Sequence, residues 1–233
     1  MLCSHINLER YLKFIQKNVI MDIHLRNIMP QPLASIKHGE DSIWGSEVKL
    51  SKGKKIMLNA SSGKGKSTFT NTIFGLRKDF EGALYFDEKN TNELKMNDWT
   101  QVRKSKISVV FQDLQLFYNL TVRENLQLKN KLCDVYTESE LKNLLELLEI
   151  ENKWEQSCGL LSMGQQQRVA IVRALCQPFE WLILDEPFSH LDTENSQRCL
   201  TMINSRCDEL GAGFVLTTLG DDYQFTYDQV LKL

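Results

Sequence analysis

Residues 56–68 read Ile56-Met57-Leu58-Asn59-Ala60-Ser61-Ser62-Gly63-Lys64-Gly65-Lys66-Ser67-Thr68. A short apolar run, too short for a helix, enters a Gly/Ser-rich turn, after which Phe69, Ile73 and Leu76 recur on one helical face. Strand, glycine turn and helix in that order make a phosphate cradle, because glycines let successive backbone N–H groups converge on an anion at a helix N-terminus. Gly63 and Gly65 permit the tight turn, Lys66 is placed to reach β- and γ-phosphates, and the Ser67 hydroxyl to ligate Mg²⁺. Ala60 stands where this pattern usually has its first glycine, a departure that a modest change in φ/ψ absorbs. Taken alone, the stretch also fits a lysine-bearing surface turn.

Trp181-Leu182-Ile183-Leu184 is a second apolar run, and it ends in Asp185-Glu186-Pro187. Asp185 suits a Mg²⁺ shell, generally through water. Glu186 is positioned to polarise an attacking water as general base. By itself the pair fits a strand-end turn before Pro187; a phosphate loop 119 residues earlier (185 minus 66) favours the catalytic reading. Between the two lies Leu161-Ser162-Met163-Gly164-Gln165-Gln166-Gln167-Arg168. Ser162 and Gln165 form a capping box, Ile171, Ala174 and Leu175 face inward on the helix that follows, and Pro178 ends it. A helix N-terminus with a small hydroxyl and a glycine suits an anion.

Ile107–Phe111, Phe214–Leu216 and Ala83–Phe86, the last introduced by Gly82, are further expected strands. Thr137 and Glu140 form a capping box ahead of Leu141, Leu144, Leu145 and Leu148. The polar stretch Asn90–Asn97 is expected to be a surface turn. This alternation predicts an α/β fold with a mostly parallel sheet and a mainly helical insertion between about residues 113 and 160. Met21 opens a strand-like Met-Asp-Ile-His-Leu, so residues 21–233 are assigned to the domain. Residues 1–20 are assigned to an extension or an upstream start, with Leu8, Leu12, Ile15 and Val19 at helical spacing.

Composition narrows the partners. The formal charge is −2, with no basic excess to favour nucleic acid. No apolar run approaches the roughly 18–20 residues that span a bilayer, so any link to a membrane comes through a partner. The six cysteines show neither paired nor metal-ligand spacing and read as reduced thiols of a cytosolic protein.

Leu161–Arg168 resembles the signature of ABC-type ATPases, usually written LSGGQ, and lies 23 residues before Asp185 (185 minus 162), in family order. Gln112, after Ser108-Val109-Val110-Phe111, looks like the Q-loop glutamine, and Ser189-His190-Leu191-Asp192 like the D-loop. Four linked motifs extend the resemblance over nearly the whole of residues 21–233. It implies a P-loop NTPase core, an antiparallel β subdomain on the N-terminal side and an inserted α-helical subdomain at about 113–162. It implies ATP and Mg²⁺ as ligands, with Ala60, Ser61, Ser62, Gly63, Lys64, Gly65, Lys66, Ser67 and Thr68 around the phosphates. Ser67, Gln112 and Asp185 would serve the metal, and Glu186, Lys66 and Gln112 catalysis. It further implies a sandwich dimer in which Ser162, Gly164 and Gln165 of one copy meet the ATP of the other.

The family also implies a transmembrane permease as partner and a peripheral place on the cytoplasmic face of the inner membrane. The stretch Phe117–Asn125 looks like that of compact importers and of lipoprotein- or macrolide-type exporters, and the chain stops about where the last core strand should end. Two features depart from the pattern. Leu216-Thr217-Thr218-Leu219-Gly220 has no histidine where the family has one beside the γ-phosphate. No aromatic residue to stack on adenine occurs near Met29–Leu33, where Met29 is the side chain available to pack on the base. The first reading is therefore an ATPase subunit that powers a transporter by ATP-driven dimerisation. The alternative is a nucleotide-gated subunit with little or no hydrolysis.

Overall fold

Strands β1 (Ile23–Pro30), β2 (Glu47–Leu50), β4 (Phe80–Phe86) and β5 (Lys89–Asn90) form an antiparallel sheet in the order β2-β1-β4-β5. Ile23 and Leu25 point inward with residues of higher exposure between and after them, the period-2 pattern of a half-buried strand. The β1–β4 register shifts between Arg26 and Met29, where Asn27 has φ 51°. Gly82 lies opposite with φ 86°, and a Cβ there would sit 2.3 Å from the Asn27 carbonyl oxygen. The bulge needs that glycine.

A second sheet has five strands, all parallel, in the order β6-β7-β8-β3-β9: β3 (Lys55–Asn59), β6 (Ile107–Val110), β7 (Trp181–Asp185), β8 (Gly213–Thr218) and β9 (Gln229–Lys232). Every residue of β7 and β8 is buried, as a strand covered on both faces requires. The register sets Asp185 opposite Thr217 and Asn59 opposite Thr218, so the carboxyl ends of three central strands finish together. Ligands of open α/β sheets bind at that edge. One apolar cluster joins Ile23, Leu25, Leu50 and Leu84 to Ile56, Leu58, Ile183 and Val215.

The structure, a computed structural model, describes residues 21–233, and the helical pattern expected over Leu8–Val19 lies outside them. Both sheets belong to a unit of residues 21–112, Phe179–Pro187 and Gly211–Leu233, with α1 (Lys66–Ile73) and α2 (Met96–Ser105). Two expectations are corrected here. Helix α1 stops before Leu76, which is 58% exposed, because Gly75 turns the chain at φ 70° with the Trp99 ring 2.3 Å from where a Cβ would stand. Asn90–Asn97 is not simply a surface turn. Asn90 ends β5 and caps a 3₁₀ turn containing buried Thr91, and Met96 opens α2, whose start is held by Lys95 N–H donating to Asp98 Oδ2 at 2.9 Å. Only Trp99 and Val102 of α2 are buried, too sparse a stripe to stand out among its polar neighbours.

The other unit, Asp113–Pro178 with Phe188–Leu210, holds α3 (Val122–Asn130), α4 (Glu138–Leu147), α5 (Met163–Leu175) and α6 (Thr193–Leu210). Capping boxes open three of them: Thr121/Glu124, Thr137/Glu140 and Ser162/Gln165. Buried Asn125 on α3 fixes the preceding loop, accepting from Phe117 N–H and donating to the carbonyls of Phe117 and Thr121 at 3.0 Å each.

Candidate nucleotide-binding site

The loop between β3 and α1 is closed by its own lysine. Lys66 is 5% exposed, and its Nζ donates to the carbonyls of Ala60 (2.9 Å) and Ser61 (3.2 Å). Gly63 at φ 77° and Gly65 at φ 103° supply the left-handed turns that deliver the backbone into α1. A Cβ on Gly65 would lie 2.5 Å from Leu33 Cδ1 and 3.2 Å from the Trp44 indole nitrogen. That nitrogen donates to the Lys64 carbonyl at 3.2 Å, so Trp44 braces the loop from outside. Ser61, Ser62 and Gly63 are exposed, and α1 carries no acidic residue in its first turn. The N-terminus is thus left electropositive for an anion.

At the sheet edge beside the loop, Glu186 Oε1 lies 3.3 Å from Lys66 Nζ. Glu186 has φ 49°, a left-handed conformation uncommon outside glycine, and its N–H donates to Thr217 Oγ1 at 3.1 Å. Thr217 Oγ1 in turn donates to Asp185 Oδ1 at 3.0 Å. Ser67 Oγ donates to Gln112 Oε1 at 3.1 Å, and the same hydroxyl lies beside the Asp185 carboxyl, whose pKa it draws down. Lys66, Ser67, Gln112, Asp185 and Glu186 are therefore gathered within one unit. Thr217, which joins Asp185 to Glu186, and Trp44 were missed in the sequence. Met29, read as packing on a base, is partly buried against the core, with its Cε 3.6 Å from the Cβ position of Gly45.

Burial pushes the Asp185 carboxyl above its ordinary value, against hydrogen bonds from Ser67 and Thr217 that pull it down. The folded state then holds this proton more tightly than the unfolded chain, whose aspartates titrate near ~3.9. Ionisation costs stability as pH rises through that value towards the higher folded one, and the cost persists above it. Asp185→Asn keeps an oxygen for Thr217 and cannot ionise. Without nucleotide it is expected to unfold about 2–4 °C above wild type at pH 7, as for ~1 kcal/mol in a chain of this size. The gap should close towards pH 4, which scanning calorimetry can follow.

In the helical unit, Ser162 caps α5: its Oγ accepts the Gln165 N–H at 3.3 Å, and its own N–H donates to Gln165 Oε1 at 3.0 Å. Gly164 follows, and a Cβ there would stand 2.9 Å from the His190 carbonyl oxygen. Gln167 Nε2 donates to Ser189 Oγ (2.8 Å), and His190 N–H donates to Gln167 Oε1 (2.9 Å). The glycine thus serves close packing of Ser189–His190 on α5, a role that spacing alone did not reveal.

The family model described as ABC transporter matches residues 44–189. The chain belongs to the ABC transporter family. It is an ABC ATPase cassette, with the parallel and antiparallel sheets and helical elements of that fold. It is 31% identical over 206 residues to the ABC transporter ATP-binding protein MJ0796 of Methanocaldococcus jannaschii, covering 84% of this chain and 86% of that protein. It is 29% identical to the lipoprotein-releasing system ATP-binding protein LolD of Saccharophagus degradans, over 81% of this chain and 84% of the relative. The dimeric structure of MJ0796 superimposes with a TM-score of 0.76 at 28% identity, covering 90% of this chain and 94% of that one. A second structure of MJ0796, a dimeric post-hydrolysis state bound to ADP and Pi, matches equally, with a TM-score of 0.76. These relatives give no support to the alternative of a cassette with little or no hydrolysis.

Proposed function

We propose that this cassette powers a membrane transporter whose membrane-spanning part is a separate protein, and that two copies close head to tail on ATP. The observation that carries this reading is the gathering of Lys66, Ser67, Gln112, Asp185 and Glu186 at the carboxyl edge of the parallel sheet. Lys66 would exchange its loop carbonyls for β- and γ-phosphate oxygens, and the backbone N–H groups of residues 63–68 would cradle the rest. Glu186, turned out of its strand by its left-handed backbone, would take the proton of the attacking water. Ser162 and Gly164 at the N-terminus of α5 would meet the terminal phosphate bound to the other copy.

Ser67, Gln112 and Asp185 bring hard oxygen donors together, and among the described residues no cluster of three His, Cys, Asp or Glu offers a rival metal site. That donor set fits Mg²⁺, which prefers oxygen, keeps several waters and shares its shell with phosphates. Bound there, the ion would neutralise charge on the β- and γ-phosphates.

No helix of the described residues is long and apolar enough to cross a membrane. The helical unit does expose apolar side chains: Phe117 (57%), Tyr118 (48%) and Leu160 (75%). Ser157 Oγ and Gly159 N–H both donate to the Tyr118 carbonyl, at 2.6 and 2.9 Å, which holds the two segments side by side. This patch is where a permease segment would dock, placing the cassette at the cytoplasmic face of the inner membrane. Light scattering of the purified chain tests the dimer. With Mg²⁺ and saturating ATP the mass is expected to double and to fall back as ATP is consumed; a persistent monomer at saturation overturns head-to-tail closure.

A further inference from the structure

Directly after Gln112 the chain makes a turn that its own residue types do not favour. Leu114 has φ 59° and Gln115 φ 49°, two adjacent non-glycine residues in the left-handed region. Gln115 N–H donates to the Asp113 carbonyl at 2.7 Å, closing a three-residue turn with positive φ at its centre, the rare and strained kind. Such backbone persists where surrounding contacts over-determine it. Two of those contacts are local: Leu114 is buried, and the Gln115 amide donates to the Asp113 carboxylate.

A third comes from far along the chain. Arg173 Nη2 donates to the Leu114 carbonyl at 2.6 Å and Nη1 to the Gln115 carbonyl at 2.7 Å, across 59 and 58 positions. Two nitrogens of one planar group thus fix two successive carbonyls, which sets the direction of both peptide planes. The fork has a firm base. Arg173 lies in the last turn of α5, where Val169, Ile171, Val172, Ala174 and Leu175 are all buried. Gln112 stands two peptide bonds before Leu114, and its Oε1 accepts the Ser67 hydroxyl at 3.1 Å.

We propose that Arg173 is a positioning residue for Gln112: by holding Leu114 and Gln115 in left-handed backbone, it fixes where the Gln112 carboxamide stands beside Ser67. The proposal rests on the ATPase reading above. Without the fork the turn relaxes towards ordinary φ values, and the carboxamide moves with its backbone. The guanidinium is occupied by the two carbonyls, so its effect on hydrolysis is one of geometry. A misplacement of ~1 Å can cost about 10²-fold in rate.

Hydrolysis across ATP concentration with Mg²⁺ is measured for wild type, Glu186→Gln, Arg173→Met, Gln112→Ala and the Arg173→Met/Gln112→Ala double variant. Amide exchange of residues 113–117 is followed in the nucleotide-free chains. Arg173→Met keeps an unbranched apolar stem and loses the fork. It is expected to lower kcat by about 10–100-fold, to move KM less than about threefold, and to speed exchange in the turn at least about tenfold. In the Gln112→Ala background the same substitution should cost less than about twofold, because the residue it positions is gone. Additive losses mark a general structural role and overturn the assignment. So does an Arg173→Met chain that hydrolyses ATP, or exchanges in the turn, within about twofold of wild type. A Gln112→Ala chain as active as wild type leaves nothing to position and overturns it too. Arg173→Lys keeps the charge but cannot span both carbonyls, so it should stay within about threefold of Arg173→Met. It takes the place of methionine in the cycle if that variant does not fold. If neither folds, or lysine restores the wild-type rate, the fork does not act through Gln112 and the assignment falls. A wild type no faster than Glu186→Gln removes the ATPase reading and this assignment with it.

Discussion

Replacing Glu186 by glutamine is expected to lower kcat by about 10²–10⁴-fold, the usual worth of a general base, while ATP affinity changes little. The substitution is close to isosteric. The backbone of residue 186 stays pinned by Thr217 Oγ1, and its left-handed φ of 49° suits glutamine as well as glutamate. The side chain also keeps an oxygen for Lys66 Nζ, now 3.3 Å away. What disappears is the basic carboxylate, whose service is needed as the water loses its proton. A fall in kcat without a rise in KM identifies an interaction made in the transition state alone. Steady-state hydrolysis checks this, with nucleotide affinity measured separately by calorimetry. Equal rates for the two proteins would remove Glu186 from catalysis and revive the nucleotide-gated alternative.

The residues of the phosphate loop and of the β7 end were legible because covalent spacing alone delimits them. A strand end, two glycines and Lys66-Ser67 lie within nine residues, and Asp185-Glu186 follow an unbroken apolar run. The parallel sheet was legible for the same reason, since strands buried on both faces show as short apolar runs. Thr217 was not legible. Its role comes from strand register, which sets it opposite Asp185, and Leu-Thr-Thr-Leu resembles any strand end. Trp44 was hidden likewise: its contact with Lys64 spans 20 positions and follows no period. Helix α2 escaped because it buries only Trp99 and Val102, and α1 was overextended because Gly75 ends it before the apolar spacing does. The common cause is that tertiary neighbours, and not local pattern, decide these positions.

Lys66→Ala should reduce ATP affinity by about 10–100-fold or more, from the loss of charged hydrogen bonds worth roughly 1.5–3 kcal/mol each. Hydrolysis should fall below detection. Two separate losses add here. The first is direct, because the ammonium is the buried cation at the mouth of the loop, where phosphate charge must be met. The second concerns the loop itself. Lys66 Nζ holds the carbonyls of Ala60 and Ser61, so its removal leaves two acceptors turned towards the place meant for an anion. It also leaves the Glu186 carboxylate without its cation, at a side chain only 16% exposed. Like charges then face the phosphates where a counter-charge stood. Lys66→Arg should not rescue, since a planar guanidinium cannot fit a space shaped for a compact ammonium donating to two carbonyls. Calorimetric titration of ATP into the three proteins decides the matter. An alanine variant that binds within about threefold of wild type would show that the loop's backbone N–H groups hold the phosphates without the lysine.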